Sequence, residues 1–331
     1  MKISVCIPTY NRSTHLDNCL SSIVTSAAYS DIDFEVCVSD NCSEDETQKI
    51  VSGYFQLLPL KYSKNERNLG IPLNFLKVVS MAEGEFVWLI GDDDLLMPNA
   101  LQSLSFLISK NPTVDFFYVN AYHLGIDYVD SFQHPFDTRD LPDKMHKFSN
   151  YLVDGKHSFF DLISPSVSFD FLGGMFLSVF RRDNWIRHSH ILSPYALKDL
   201  RIFSHFDNTF PHVKIFSKAF SHSLAYYNST PLIVCLSGVR EWSAMYPLVR
   251  SFRLIEALDS YREAGLPLHK YYHCRNYALS NFIPDLVRML INPVDSGLKY
   301  ISLNQILPNI INPNVYFSLF RIILRKIGLV K

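Results

Sequence analysis

Three adjacent carboxylates, Asp92, Asp93 and Asp94, are the sharpest local sign of chemistry in this sequence. They directly follow the apolar run FVWLI, which predicts a buried strand, so they lie at a strand end. Neighbouring carboxylates repel one another, and a divalent cation that bridges to a diphosphate would supply the missing positive charge. Mg²⁺ and Mn²⁺ prefer oxygen ligands, commonly one or two carboxylates completed by phosphates and water. The alternative is a solvated acidic turn that caps the next helix.

Polar clusters also follow the other strands predicted in this part of the chain. The first strand is followed by PTYNR, the second by Asp40 and Asn41, and the third by a polar segment from Asn65 to Gly70. In an open α/β sheet, ligands bind at the carboxyl ends of the strands, so these clusters share one predicted site. PTYNR lacks the glycines of a dinucleotide-binding turn, so side chains must hold the nucleotide. Asp40 either accepts hydrogen bonds from a base or ribose, or it is a turn residue before Ser43.

The segments that must position these residues alternate strand and helix over residues 1–122, which predicts an α/β fold. Such alternation gives a mainly parallel central sheet with helices on both faces. Ser43 followed by Glu46 predicts a capping box and a helix over 44–55. The other predicted elements are strands over 3–7, 34–39, 60–63, 86–90 and 115–122, and helices over 15–26, 72–82 and 98–110.

The alternation stops near His123, and residues 165–235 contain short mixed elements. From about residue 246 the apolar spacing is helical again, with helices predicted over 246–264, 269–291 and 314–327. We therefore divide the chain into three parts: residues 1–122, residues 123–245, and a mainly helical C-terminal region over 246–331.

Four motifs resemble those of glycosyltransferase family two: IPTYNR, VSDNCSEDET, NLGIPLNF and GDDDLLMPNAL, in this order within residues 1–120. The resemblance implies a GT-A fold and, as usual in the family, inverting transfer. The chain length and the variant acidic motif are similar to those of bacterial O-antigen side-branch transferases, including abequosyltransferase-like enzymes. On this resemblance, residues 1–122 bind a nucleotide-sugar, and residues 123–245 bind the acceptor and supply catalysis.

The resemblance also implies roles for single residues. It implies a nucleotide pocket lined by Pro8, Thr9, Tyr10 and Arg12, with Asp40 at the base and Asn68 and Gly70 beside it. The family's usual acidic run is Asp-x-Asp-Asp before a helix that opens with Pro. Anchored on Pro98, its first Asp falls on Gly91, and Asp93 takes the metal position with Asp92 and Asp94 as donor-binding neighbours. Without that anchor, Asp92 and Asp94 form their own Asp-x-Asp pair.

Inverting transfer needs a base, usually a carboxylate, to take the proton from the acceptor hydroxyl. In the resembled family this base lies in the second half, where the candidates are Asp170, Asp199 and Asp207. We favour Asp207, because it precedes a predicted turn and a segment that opens with Pro211. Asp199 is the other catalytic candidate, although in its helix-like segment it could equally pair with a neighbouring cation.

These inferences predict a metal-dependent glycosyltransferase with Mg²⁺ or Mn²⁺ as cofactor and a nucleotide-sugar as donor. The resemblance implies a lipid-diphosphate-linked oligosaccharide acceptor in bacterial O-antigen or surface-polysaccharide biosynthesis, and an abequose-like dideoxyhexose as the sugar. Two alternatives stay open: a nucleotidyltransferase that acts on sugar phosphates, and a non-catalytic protein that binds metal or sugar. A formal net charge of −1 argues against a nucleic-acid binder.

The segment 315–331 predicts a tail that docks on an anionic membrane surface. It contains no acid, and it combines helically spaced apolar residues (Phe317, Phe320, Leu324 and Ile327) with basic ones (Arg321, Arg325, Lys326 and Lys331). Packing of the same apolar face on the core is the alternative. The sequence has six cysteines without metal-type spacing, and Pro8 breaks its N-terminal apolar run, so it predicts a cytoplasmic protein. Together with the basic tail, this places the protein on the inner face of the cell membrane.

Overall fold

The computed structural model describes residues 1–29, 32–238 and 242–326. The strands in these ranges are β1 (Ile3–Thr9), β2 (Phe34–Asp40), β3 (Leu60–Lys64), β4 (Phe86–Leu89), β5 (Asp94–Leu96), β6 (Phe116–Gly125), β7 (His146–Lys147), β8 (Gly155–Ser158), β9 (Ser178–Arg181) and β10 (Leu224–Ser237). They form one sheet in the order β3-β2-β1-β4-β9-β6-β10-β5, with β7 added beside β6 and β8 beside β10.

The helices that precede β10 are α1 (Ser13–Ala27), α2 (Thr47–Gly53), α3 (Ile71–Met81), α4 (Ala100–Lys110), α5 (Ile126–Val129), α6 (Arg182–His188), α7 (Pro194–Leu197), α8 (Phe206–Thr209) and α9 (Pro211–Ala219). The C-terminal region contributes α10 (Tyr246–Leu248), α11 (Leu254–Glu263), α12 (Leu268–Ala278), α13 (Phe282–Ile291), α14 (Leu303–Ile310) and α15 (Pro313–Lys326). A π-helical segment, Val249–Arg253, joins α10 to α11.

The strands β3, β2, β1 and β4 are parallel, so their carboxyl ends share one edge of the sheet. Right-handed crossovers place α1 and α2 on one face and α3 on the other, because the chain reverses its direction across the sheet after β3. Val5 pairs with Val36 and with Trp88, and all three side chains are fully buried. Helices on both faces explain why these strands are apolar throughout. The predicted α/β architecture and its order of elements are confirmed.

In the part of the sheet beyond β4, parallel and antiparallel strands occur together. β9 enters antiparallel between β4 and β6, and β10 runs parallel to β6 over its whole length. The sequence of β10 did not predict a long strand, because the segment from Asn228 to Pro231 interrupts its apolar run. The pairing with β6 shifts register at this segment and then continues.

The predicted capping box at Ser43 is wrong. Helix α2 begins at Thr47, where Asp45 Oδ1 accepts a hydrogen bond from the Thr47 backbone nitrogen at 3.1 Å. The Ser43 hydroxyl is used elsewhere, since it accepts a hydrogen bond from the Asn11 backbone nitrogen at 2.8 Å. This contact ties the segment after β2 to the segment after β1.

In the C-terminal region, the predicted helices over 246–264, 269–291 and 314–327 each correspond to observed helices, and α14 is an addition. The predicted boundary after residue 122 falls inside β6, so the functional division into three parts stays a prediction. Within the described ranges, no helix is both long and apolar enough to cross a membrane. Ile327 and Lys331 of the predicted tail lie outside the described residues, and the side chains of Arg325 and Lys326 are not described.

Candidate active site

The segments that follow β1 and β4 meet at one edge of the sheet and form a charged cluster. The guanidinium of Arg12 faces the acidic run, with Nη1 2.8 Å from Asp92 Oδ1 and Nη2 3.2 Å from Asp93 Oδ2. The Thr9 hydroxyl donates a hydrogen bond to Asp92 Oδ2 at 2.8 Å. Both oxygens of Asp92 are therefore engaged within the protein. The sequence pattern predicts that a divalent cation offsets the negative charge of these carboxylates. In the structure, Arg12 supplies part of that positive charge.

The surroundings of Asp92 shift the pKa of its carboxyl. Burial raises its pKa to about 7; the charge of Arg12 opposes this rise, and repulsion from Asp93 adds to it. A carboxyl with this pKa is protonated in about half of the molecules at neutral pH. The cluster therefore carries less negative charge than three ionised carboxylates would.

Asp94 shapes the turn that presents the other two carboxylates. Its Oδ2 accepts a hydrogen bond from the Gly91 backbone nitrogen at 2.7 Å, which closes the turn between β4 and β5. A Cβ atom added at Gly91 would lie 2.7 Å from Asp93 Oδ1, so a side chain there would displace that carboxylate. This close approach accounts for glycine at the position where the resembled family usually has its first Asp.

Asp40 lies behind this edge. It is fully buried, and its carboxylate accepts hydrogen bonds from the Ser43 backbone nitrogen at 2.7 Å and from the Tyr62 hydroxyl at 2.6 Å. The geometry corrects the predicted contact of Asp40 with a base or ribose and favours the alternative, a turn residue. Its neighbour Asn41 reaches the cavity instead. Pro8, which the resemblance also assigned to the nucleotide pocket, lies within the part of β1 that pairs with β2.

Asn68 and Gly70 form a fixed corner of the site. Asn68 Oδ1 accepts hydrogen bonds from Asn41 Nδ2 at 2.9 Å and from the Gly70 backbone nitrogen at 2.8 Å. Gly70 has a φ angle of +82°, and a Cβ atom there would lie 3.2 Å from Leu200 Cδ2. Glycine is therefore required both by the backbone conformation and by the close approach of the segment around Leu200.

Asp170 lies on the opposite wall of the cavity, in a strained loop. Phe171 and Leu172 have φ angles of 53° and 69°, which residues with side chains rarely adopt. Both side chains are fully buried, and their packing holds the loop in this conformation. The Asp170 carboxylate accepts hydrogen bonds from the Ser168 hydroxyl at 2.6 Å and from the Gly174 backbone nitrogen at 2.7 Å. The loop therefore fixes the orientation of this carboxylate.

Two buried side chains clamp the same loop from the core. His212 Nε2 lies 3.0 Å from the Gly173 carbonyl oxygen, and the Tyr261 hydroxyl donates to the Phe171 carbonyl at 2.9 Å. Burial lowers the pKa of His212 to about 4, although the carbonyl partners favour its charged form. Its buried Nδ1 has no hydrogen-bond partner among the described residues, so we assign the proton of the neutral ring to Nε2. His212 is thus a positioning residue for the loop.

The two acids that the sequence favoured for catalysis are engaged away from this cavity. Asp207 is buried, and its carboxylate binds Lys214 Nζ at 2.7 Å and accepts from the Ser193 backbone nitrogen at 2.6 Å. Asp199 pairs with the Arg201 guanidinium at 2.7 Å. Both carboxylates therefore stabilise the segment from residue 193 to residue 214. This geometry favours Asp170 over Asp207, and the choice of the base stays a prediction.

A cavity of about 650 Å³ lies between the strand-end cluster and the loop of Asp170, a size typical of small-molecule sites. Polar residues along its wall include Tyr10, Arg12, Asn41, Asn68, Asp92, Asp93, Asp94, His123, Asp170, His212 and Arg250. Three aromatic side chains, Phe148, Phe169 and Phe176, form an apolar patch of the wall. His123 and Arg250 gave no local signal in the sequence, because the segments that carry them reach the site only through the tertiary fold.

Asp93 is the carboxylate best placed to hold a divalent cation. Its side chain is 18% exposed, against 6% for Asp92, and it lines the cavity. Within residues 1–29, 32–238 and 242–326, no three His, Cys, Asp or Glu side chains converge as a metal site. These residues fit a site in which one or two protein carboxylates are completed by phosphate oxygens of a substrate.

Residues 4–162 match the sequence model of Glycosyl transferase family 2, so this part of the chain is similar to that family. Abequosyltransferase RfbV of Salmonella typhimurium is 29% identical over 241 residues, which cover 71% of this chain and 66% of that protein. Poly(ribitol-phosphate) beta-N-acetylglucosaminyltransferase TarS of Staphylococcus aureus is 37% identical over 112 residues, which cover 34% of this chain and 19% of TarS. The chain thus spans less than two thirds of the length of either relative.

Two solved structures share the fold. Residues 1–349 of S. aureus TarS in complex with UDP match with a TM-score of 0.53 and 20% identity, over 92% of this chain and 76% of that chain. The mannosyltransferase PcManGT from Pyrobaculum calidifontis, in complex with GDP-Man and Mn²⁺, matches with a TM-score of 0.54 and 14% identity, over 96% of this chain and 83% of that chain. These likenesses confirm the predicted GT-A fold.

Proposed function

Starting from the similarity to Glycosyl transferase family 2, we propose that the chain is a glycosyltransferase that moves a sugar from a nucleotide-sugar donor to a saccharide acceptor. One observation carries the proposal: a single cavity joins Arg12 and the strand-end carboxylates on one wall to Asp170 on the other. A donor with its diphosphate at the carboxylate wall would present its sugar toward Asp170. This is the arrangement that transfer to an acceptor hydroxyl requires.

The donor is a nucleoside-diphosphate sugar in this proposal. Tyr10 is 43% exposed at the cavity, where its ring is available to stack on a base. The complexes of TarS with UDP and of PcManGT with GDP-Man support a nucleotide as part of the donor. Asn41 and Asn68 would line the nucleotide site, in place of the contact that was predicted for Asp40.

Asp93 would hold Mg²⁺ or Mn²⁺ together with the donor diphosphate. The Mn²⁺ in the PcManGT complex supports this cofactor. When bound, the cation offsets the negative charge that grows on the diphosphate as the glycosidic bond breaks. Arg12 holds the carboxylates of Asp92 and Asp93 in place before the donor arrives.

Asp170 is the general base in this proposal. Its two hydrogen bonds, from Ser168 and from Gly174, orient the carboxylate, and it lines the cavity. A base must come within hydrogen-bond reach of the acceptor hydroxyl, and such reach requires a fixed position on the cavity wall. Asp207 is the weaker candidate, because its carboxylate does not line the cavity and binds Lys214 and the Ser193 backbone nitrogen elsewhere.

The transferred sugar is a dideoxyhexose of the abequose type, and the acceptor is a lipid-diphosphate-linked oligosaccharide of a bacterial surface polysaccharide. The likeness to abequosyltransferase RfbV supports the sugar class. The apolar patch of Phe148, Phe169 and Phe176 supports it independently, because a sugar that lacks hydroxyls leaves fewer polar groups to satisfy against such a wall.

A donor screen tests this function. The purified chain is incubated with CDP-, UDP-, GDP- and dTDP-sugars, a lipid extract of bacterial membranes and Mn²⁺, and nucleoside diphosphate release is measured with and without the extract. We expect release from one donor class that requires both the extract and the metal. Release of pyrophosphate from a nucleoside triphosphate and a sugar phosphate would contradict the proposal in favour of a nucleotidyltransferase. Thermal stabilisation by Ca²⁺ alone, without turnover of any donor, would contradict it in favour of a binding protein.

A further inference from the structure

Three helices near the C-terminus turn apolar side chains toward solvent. On α13, Leu290 and Ile291 are 60% and 79% exposed. Leu303 and Leu307 on α14 and Phe317 and Phe320 on α15 are exposed in the same way, each pair at helical spacing. A helix on the surface of a globular protein normally turns its polar side to water, so this region has the opposite arrangement. These six residues define what we call the C-terminal apolar surface.

The exposure is not a consequence of loose helices. α13 packs against α14 and α15, and α14 packs against α15. α13 and α15 also reach the core, through Phe282, Met289 and Val315, each no more than 1% exposed. The C-terminal apolar surface is therefore the outer side of packed helices. An exposed apolar patch of this kind marks a surface that meets another apolar phase or partner.

Most of the charged residues in this part of the sequence are basic. From residue 296 to residue 331 the sequence contains five Lys and Arg residues and no Asp or Glu. Arg288 on α13 adds a further cation, with 66% of its side chain exposed. The acids of the adjoining segment are Asp285, which is fully buried and paired with Arg250, and the exposed Asp295. The surroundings of the apolar surface are thus predominantly basic.

We infer that the C-terminal apolar surface docks on an anionic lipid bilayer. The apolar side chains would enter the boundary of the acyl chains, and the basic residues would meet the lipid headgroups. A second copy of this chain fits less well, because an isologous contact brings the same basic residues together. The surface includes α13 and α14 and so extends well beyond the tail that the sequence predicted. This inference does not depend on the proposed transferase function.

Vesicle flotation without donor or acceptor tests the inference. The full chain is mixed with vesicles of phosphatidylglycerol and phosphatidylcholine, or with vesicles of phosphatidylcholine alone. We expect flotation with the anionic vesicles and release as the salt concentration rises, because salt screens the attraction of surface charges. Equal flotation with phosphatidylcholine alone would overturn the requirement for anionic lipid.

Variants locate the binding to the surface. Phe317→Ser combined with Phe320→Ser should weaken binding to the anionic vesicles more than roughly tenfold, since two large apolar side chains are lost. Phe106→Ser is the matched control, because Phe106 on α4 is 60% exposed, as Phe320 is, and it should bind as the wild type does. Arg288→Gln should weaken binding roughly fivefold, the effect of one cation near an anionic surface.

Two results would overturn the inference. The first is that the wild-type chain fails to float, or that the double variant Phe317→Ser, Phe320→Ser floats as well as the wild type does. The other is an oligomer, seen by light scattering, that dissociates in this double variant while neither protein floats. That outcome would assign the surface to a second copy of the chain. Since the substituted side chains are exposed, unchanged melting temperatures of the variants are the check on folding.

Discussion

At the residue scale, the three adjacent Asp residues differ in their contacts and in their exposure, and so in their roles. Asp92 is held by Thr9 and Arg12, and Asp94 closes the turn at Gly91. Asp93 also contacts Arg12, but its side chain is more exposed at the cavity wall than that of Asp92. The sequence motif predicted the cluster and its place at a strand end. It could not rank the members, because neighbouring Asp residues differ only in what the tertiary fold packs around them.

The proposed role of Asp93 makes a direct prediction. Asp93→Asn should weaken Mn²⁺-dependent binding of the nucleoside diphosphate by at least roughly tenfold, because a neutral amide is a poorer ligand for a hard cation. Asp183→Asn is the control, since that side chain is 78% exposed on α6 and distant in sequence from the motif. Isothermal titration with and without Mn²⁺ measures both. Wild-type affinity of Asp93→Asn at limiting Mn²⁺ would remove Asp93 from the metal site.

At the element scale, the loop from Ser168 to Gly174 decides where the proposed base lies. Its strained residues Phe171 and Leu172 are held because their side chains are buried and their carbonyls accept hydrogen bonds from the core. A sequence carries almost no signal for such a loop, since left-handed backbone at residues other than glycine depends on the surrounding packing. For this reason the sequence offered no ground for preferring Asp170 to Asp207, and the choice between them stays a prediction.

The clamp by His212 makes the stability of the fold depend on pH. Its pKa is lowered from 6.5 to about 4 in the folded chain, so the unfolded chain binds the extra proton between these values. Stability should therefore be lost as pH falls from 6.5 toward 4, by about 3 kcal/mol at most. Urea unfolding at several pH values measures this loss. His212→Gln should lack this part of the pH dependence, whereas His190→Gln, an exposed control, should keep it.

The π-helical segment Val249–Arg253 places Arg250 at the cavity and depends on one buried acid. Asp285 is fully buried and binds the Arg250 guanidinium, with Nε 2.8 Å from Oδ2. Asp285→Asn leaves this cation without its counter-charge and should lower the free energy of unfolding by roughly 3 kcal/mol. Asp295→Asn, an exposed acid of the same region, should change it little. Equal urea midpoints for the two variants would contradict this account of the segment.

At the scale of the whole molecule, the sheet joins two parts of the chain that differ in how well they can be predicted. Residues 1–122 follow local rules of alternation and turn chemistry, so their strands and strand-end residues were predictable. β9 and β10 come from distant sequence and insert beside β4 and β6, which no local pattern indicates. The wall of the cavity that carries Asp170 belongs to this second part. The proposed donor end could therefore be predicted from the sequence, whereas the opposite wall could not.

The central claim is that the cavity between the strand-end cluster and the loop of Asp170 is a transferase site with Asp170 as its base. The most direct test compares kcat, donor affinity and melting temperature of Asp170→Asn with those of Asp207→Asn. We predict that Asp170→Asn lowers kcat roughly 10²- to 10⁴-fold with unchanged donor affinity. Asp207→Asn should instead lower the melting temperature, while the folded protein keeps most of its turnover. The reverse pattern, with near-normal kcat for Asp170→Asn and a large loss for a stably folded Asp207→Asn, would contradict the claim.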